Sequence, residues 1–116
     1  EDDIATLMQQ SWTMTGSDGS ITQLGRGVPH PRWYGTFPRK IRKYVIEDRV
    51  MDLENAIRSM TSLSAGVMGL PDRGIIRTGA VADLVVFDLS QLRDLPVVCG
   101  DSAANSRTNL SLSHDG

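Results

Sequence analysis

A carboxylate set among small residues, Gly16-Ser17-Asp18-Gly19, follows directly on a run of apolar and β-branched residues from Trp12 to Thr15. Beyond a short loop comes His30-Pro31-Arg32-Trp33-Tyr34-Gly35-Thr36-Phe37-Pro38-Arg39, which gathers an imidazole, a guanidinium and the rings of Trp33 and Tyr34. A carboxylate at a strand end can take a proton from an attacking water and deliver it to a leaving group. The planar fork of arginine matches a carboxylate with two parallel hydrogen bonds, which suits recognition of an amino-acid carboxylate. Each residue also has a plainer reading. Ser-Asp-Gly is a common turn, and Asp18 taken alone fits one. Arg32 alone fits a surface ion pair, and His30 fits either a base or ligand or a loop histidine holding a backbone contact. Trp33 and Tyr34 suit either a pocket wall or core packing. Asp83 and Asp88 bracket an apolar run and read as turn residues, and His114 in the polar tail takes no assignment. With no His-x-His pair and no cysteine cluster, the chain cannot furnish a full zinc site by itself.

Several elements are needed to hold these groups. Asp2 and Asp3 can cap a first helix whose Ile4, Leu7 and Met8 share one face, ending near Gln10. Ser11–Thr15 reads as a short strand, with Gly16 turning the chain after it. Ser20–Val28 lacks periodicity and reads as a surface loop, placed where a lid would sit. A second helix is expected from Thr36, with Pro38 in its first turn and Ile41, Tyr44 and Val45 on one side. Its other side, Arg39, Lys40, Arg42 and Lys43, reads as a solvated face. Asp52 caps a third helix on which Leu53, Ala56, Ile57 and Met60 recur at three and four, and Gly69 with Pro71 marks the stop. The period then changes. Gly74–Gly79 reads as a short strand, and Ala82–Asp88 as a buried one that needs partners from elsewhere. From Ser90 the chain turns polar, and Ala103–Gly116 reads as disordered. Strand, carboxylate, polar loop and helix is the order in which a (β/α)8 barrel presents chemistry at its catalytic face.

Composition narrows the class. The chain has 116 residues, a net charge of -2 and a hydrophobic share of 40%. That suffices for one core but supplies no basic surplus for nucleic acid or anionic membrane. Apolar runs are too short for a bilayer span, and no leader is recognised at the start. The lone Cys99 favours a reducing, cytoplasmic setting. A (β/α)8 barrel needs roughly 250 residues. This chain is therefore expected to be a carboxy-terminal piece, an expectation that an opening Glu1 in place of methionine also fits.

The ordered set Gly16-Ser17-Asp18-Gly19, His30-Pro31-Arg32-x-Tyr34-Gly35-Thr36-Phe37-Pro38-Arg39, Met60-Thr61-Ser62-Leu63 and Asp72-Arg73-Gly74-x-Ile76-Arg77-x-Gly79-Ala80-x-Ala82-Asp83-Leu84-Val85-Val86-Phe87-Asp88 resembles the N-acyl-D-amino-acid deacylases, or D-aminoacylases, of the metal-dependent amidohydrolase superfamily. The resemblance runs from about Glu1 to Asp88 and is most specific from His30 to Arg39. It implies an α/β fold: the carboxy-terminal portion of a metal-dependent (β/α)8 barrel, followed by strands of a small β-sandwich. On that basis 1–70 would hold the last barrel strand and outer helices, 71–90 returning sandwich strands, and 91–116 a divergent, disordered tail. The implied reaction is hydrolysis of an N-acyl-D-amino acid to a carboxylate and a D-amino acid. Asp18 would be the catalytic acid and base beside the zinc, and a possible ligand to it. Arg32 would bind the substrate carboxylate, with His30 and Tyr34 also lining the substrate. The main zinc ligands would lie upstream, outside this chain. The implied partner is the small N-acyl-D-amino acid alone, with no nucleic acid and no membrane. A cyclic amidohydrolase of dihydroorotase or hydantoinase type is a related reading, which the His-Pro-Arg block disfavours. A non-catalytic structural fragment is the rival from another class. Ser90–Gly116 departs from the family's usual course.

Overall fold

A computed structural model describes residues 1–21 and 30–93. Its elements are helices α1 (Asp2–Met8) and α2 (Arg32–Arg39), a π-helix (Lys40–Glu47), and helices α3 (Leu53–Met60) and α4 (Ser62–Val67). In α1 the aspartates occupy the first turn and Glu1 stands at the cap, where acidic groups meet the positive end of the helix dipole. The α1 side chains Ile4 and Leu7 remain exposed.

The second helix starts earlier than the sequence suggests. Pro31, not Thr36, is its cap residue, and the imidazole of His30 accepts the Arg32 N–H at 3.1 Å, satisfying an amide the helix leaves open. Pro38 therefore lies inside α2, where it has no N–H to give. Beyond Arg39 the backbone settles into the wider five-residue register. The Asp48 N–H reaches the Lys43 carbonyl at 2.7 Å. Side chains five apart now face each other, and Arg42–Glu47 and Lys43–Asp48 form ion pairs, each at 2.7 Å. Helix α3 starts as the sequence indicates: the Asp52 carboxylate accepts the Asn55 N–H at 2.7 Å. Thr61, at φ -130 and ψ -92, breaks the axis between α3 and α4. The Thr61 hydroxyl donates to the Ile57 carbonyl at 2.7 Å, closing off α3. Gly69, at φ 69, ends α4 in the left-handed conformation a glycine stop requires.

The core sits where the π-helix, α3 and α4 meet, on Ile41, Tyr44, Ala56 and Ala65. The expected strands at Ser11–Thr15, Gly74–Gly79 and Ala82–Asp88 do not form; among the described residues no ladder is present. The α/β expectation is thus met only in its helical half. The reason is physical, since a strand exists as an element only through its partner's hydrogen bonds. Residues 13–17 do show the period of two, with Thr13, Thr15 and Ser17 half-buried and Met14 and Gly16 exposed. Ala82–Asp88, expected to be buried, lies in the open, with Val86 96% exposed. The lid expected over 20–28 falls almost wholly outside the described residues, as does the tail after Arg93. Among the described residues no helix is long and apolar enough to cross a membrane.

Residues 71–83 close on themselves. The Val81 N–H donates to the Asp72 carbonyl at 2.9 Å, and Arg73 pairs with Asp83. Gly74 packs this loop against the α3–α4 junction. A Cβ there would stand 2.8 Å from the Thr61 carbonyl carbon and 2.9 Å from the Ser62 Cα, and the residue adopts φ 74. Gly74→Ala is therefore expected to cost more than about 1 kcal/mol, because both the left-handed backbone and the backbone contact oppose it. Hydrogen exchange at the Val81 amide reads this directly, and unchanged protection would refute the contact.

Candidate active site

Asp18 is delivered by the extended segment after Thr13. Its backbone takes φ 47, a left-handed conformation that aspartate tolerates better than most residues. The Ser17 hydroxyl accepts the Gly19 N–H at 3.2 Å and fixes the turn. Arg32 is the first residue of α2, aimed by the His30–Pro31 start described above. These two residues are fourteen positions apart and meet twice. Arg32 Nη2 lies 3.2 Å from Asp18 Oδ2, and Nε donates to the Asp18 carbonyl at 3.1 Å. The Asp18 side chain is 86% exposed and that of Arg32 46%. Such a pair contributes little to stability but leaves both groups open to a ligand.

His30 joins this corner through its backbone contact. With Nδ1 accepting, a neutral His30 carries its proton on Nε2. Tyr34 follows on α2 and is 48% exposed, so it presents a surface ring rather than a buried one. A polar cleft of about 390 Å³ lies elsewhere, between the end of α1 and α3, lined by residues including Gln9, Thr13, Arg49, Asn55, Arg58 and Ser59. Neither Asp18 nor Arg32 lines it. Among the described residues no group of three or more His, Cys, Asp or Glu side chains comes together as a metal cage.

One residue supporting this corner escaped the sequence reading. Lys40 was expected on a solvated face, but only 2% of it is exposed. Its ammonium donates to Ser59 Oγ at 2.7 Å and to Thr15 Oγ1. Ser59 in turn donates to the Ala56 carbonyl at 2.7 Å, and its own carbonyl accepts the Thr15 N–H at 3.1 Å. Lys40 thereby ties the segment leading to Asp18 onto α3. A signal was present: Lys40 stands four residues before Tyr44, on the buried stripe of its helix. Its partners are hydroxyls rather than carboxylates, so burial pulls its pKa below the usual lysine value. Lys43 differs. The Asp48 carboxylate accepts its hydrogen bond and pushes its pKa up.

Residues 2–107 match the amidohydrolase family. The chain is 42% identical over 94 residues to an N-acyl-D-glutamate deacylase of Alcaligenes xylosoxydans xylosoxydans, covering 81% of this chain and 19% of that protein. It is 41% identical over 92 residues to an N-acyl-D-aspartate deacylase of the same organism, covering 79% of this chain and 18% of the relative. Among solved structures, the N-acyl-D-glutamate deacylase from Bordetella bronchiseptica, complexed with zinc and a phosphonate mimic of the tetrahedral intermediate, is similar with a TM-score of 0.71 and 41% identity. That likeness covers 81% of this chain and 19% of the other. The chain thus spans about a fifth of the length of the relatives it matches.

The chain's two lysines offer a check on this geometry. Titrated by NMR at the side-chain carbons, Lys40 is expected to lose its proton at lower pH than Lys43. Because its folded-state value is lowered, the unfolded chain holds that proton more firmly. Stability attributable to Lys40 then rises with pH between the lowered value and the ordinary 10.5. The reverse order of titration would refute the burial of its ammonium.

Proposed function

The chain belongs to the amidohydrolase family, and from that premise we propose that it is the carboxy-terminal part of an enzyme that hydrolyses N-acyl-D-amino acids to a D-amino acid and a carboxylate. The observation that carries this reading is the meeting of Asp18 with Arg32 at 3.2 Å. It occurs in a chain 41% to 42% identical to an N-acyl-D-glutamate deacylase, an N-acyl-D-aspartate deacylase and a D-aminoacylase. In this reading the guanidinium of Arg32 receives the substrate's α-carboxylate as a two-pronged pair. The Asp18 carboxylate takes a proton as the amide is attacked and returns it to the leaving nitrogen. His30 fixes the start of α2 and so the direction of Arg32, and the ring of Tyr34 flanks the substrate.

The finer fold belongs to the same proposal. Residues 1–70 supply the last strand and outer helices of a (β/α)8 barrel, with Trp12–Thr15 as that strand, and 71–90 supply strands of a β-sandwich. Support comes from the alternating burial of residues 13–17 and from the exposed apolar side chains of 81–89, which suit strands awaiting partners. Residues 91–116 form the divergent tail. The lone Cys99 supports a cytoplasmic setting.

Zinc accompanies the similar solved deacylase. The described residues here do not fit such an ion: they gather no cage, and the Asp18 carboxylate already faces Arg32. We therefore assign the principal zinc ligands to parts of the enzyme outside this chain.

Two measurements test the proposal. In the complete enzyme, Asp18→Asn should lower kcat for D-amino acid release by about 100-fold or more. Arg32→Ala should act mainly through KM. Undiminished turnover in the Asp18 variant would remove its catalytic role. The 116-residue chain alone should neither take up zinc stoichiometrically nor release D-amino acid, whereas activity from it would overturn the assignment as a part.

A further inference from the structure

The segment that ends in Asp18 alternates: Thr13, Thr15 and Ser17 are half-buried, while Met14, Gly16 and Asp18 are exposed. Its inward face is gripped by Lys40, whose ammonium reaches Thr15 Oγ1 on this segment and Ser59 Oγ on α3. The Thr15 N–H on the Ser59 carbonyl, at 3.1 Å, reinforces the grip. Lysine is a costly residue for that place. Its hydrogen-bond partners are hydroxyls that supply no opposite charge, and an apolar side chain of similar length would fill the space at lower cost. An apolar side chain, however, cannot bridge acceptors on two separate elements. We propose that Lys40 is a positioning residue for catalysis: by tying Thr15 to α3 it fixes where Asp18, three residues on, stands relative to the reacting amide.

This inference rests on the deacylase reading and adds to it a residue that acts through Asp18 rather than by touching substrate. Every group of the tie lies within this chain. The Ser17 turn sets Asp18 against Gly19, its immediate neighbour, and the Lys40 tie anchors that turn to the helices. Only Gly16 and Ser17 separate Thr15 from Asp18, so a shift at Thr15 has little chain in which to be absorbed. A misplacement of about 1 Å in a group that must transfer a proton can cost on the order of 100-fold in rate.

The test is a double-mutant cycle in the complete enzyme, read by kcat and KM for D-amino acid release. Lys40→Met keeps an unbranched stem of similar length, fills the buried place and carries no charge. In the parent background it should lower kcat about ten-fold and change KM by less than about two-fold, because the proton carrier moves while the carboxylate-binding Arg32 does not. In an Asp18→Asn background the same substitution should change kcat by less than about two-fold, since the group through which Lys40 acts is gone. A merely structural role would lower the active fraction alike in both backgrounds and overturn the proposal, as would an unchanged kcat in the parent. Thr15 gives a second route should Lys40→Met fail to fold. Thr15→Val keeps the branched shape but removes the acceptor and should lose kcat, whereas Thr15→Ser keeps the hydroxyl and should retain it. Equal kcat in these two variants would overturn the role of the tie. The parent enzyme is assayed beside them. Absence of D-amino acid release from it refutes the deacylase reading and the catalytic consequence of the tie with it, whereas release with equal losses in both backgrounds refutes the role of Lys40 alone.

Discussion

The ammonium of Lys40 is the joint on which the rest of this chain hangs. Three separate pieces meet at it: the π-helix that carries it, the segment that ends in Asp18, and α3 through Ser59. Burying a charge without a carboxylate is costly, and hydroxyl partners offset only part of that cost. The geometry persists because the same contact is reinforced by the Thr15 N–H on the Ser59 carbonyl and by Arg58 Nη1 on the Ser11 carbonyl at 2.8 Å. Position of the candidate catalytic carboxylate is thus set three residues away, by a polar tie rather than by apolar packing.

Apolar packing is scarce by comparison. Among the described residues the buried hydrophobic ones are Ile41, Tyr44, Ala56 and Ala65, while Trp12, Phe37 and the apolar residues of 81–89 remain uncovered. Burial of such side chains is the main favourable term in folding, so their exposure leaves most of that term unused. A chain spanning about a fifth of its relatives' length would leave surfaces of this kind where the remaining fold covers them. The loop of 71–83 is the exception. It is secured locally by the Arg73–Asp83 pair and by the close seat of Gly74 on the α3–α4 junction.

The candidate site is built differently again. Asp18 and Arg32 meet through two exposed contacts, and the residues that aim them, Ser17 and His30, work through backbone amides. Local turns with an exposed ion pair between them give a corner that is positioned yet open to solvent.

Local chemistry was legible in the sequence. Asp52 announced the α3 cap and Gly69 the stop of the one long helix expected after it, which the structure divides at Thr61, and the Gly-Ser-Asp-Gly and His-Pro-Arg blocks marked residues that meet in space. These features depend on interactions within a few residues, which the order of side chains fixes directly. Non-local features were not legible. The stripe containing Ile41 and Tyr44 claims Lys40 as well, turning an expected surface lysine into a buried tie. Pro38 inside α2, with a π-helix after it, reflects a register chosen by the whole helix rather than by the proline alone. Val85 and Val86 have the composition of a buried strand, yet they lie exposed, because pairing and burial belong to the partner as much as to the segment. The sequence by itself determined the α3 cap, the glycine stop at Gly69 and the candidate groups that meet at Asp18 and Arg32. Tertiary structure alone decided which lysine is buried and which apolar runs are covered, since those outcomes depend on surfaces contributed from elsewhere.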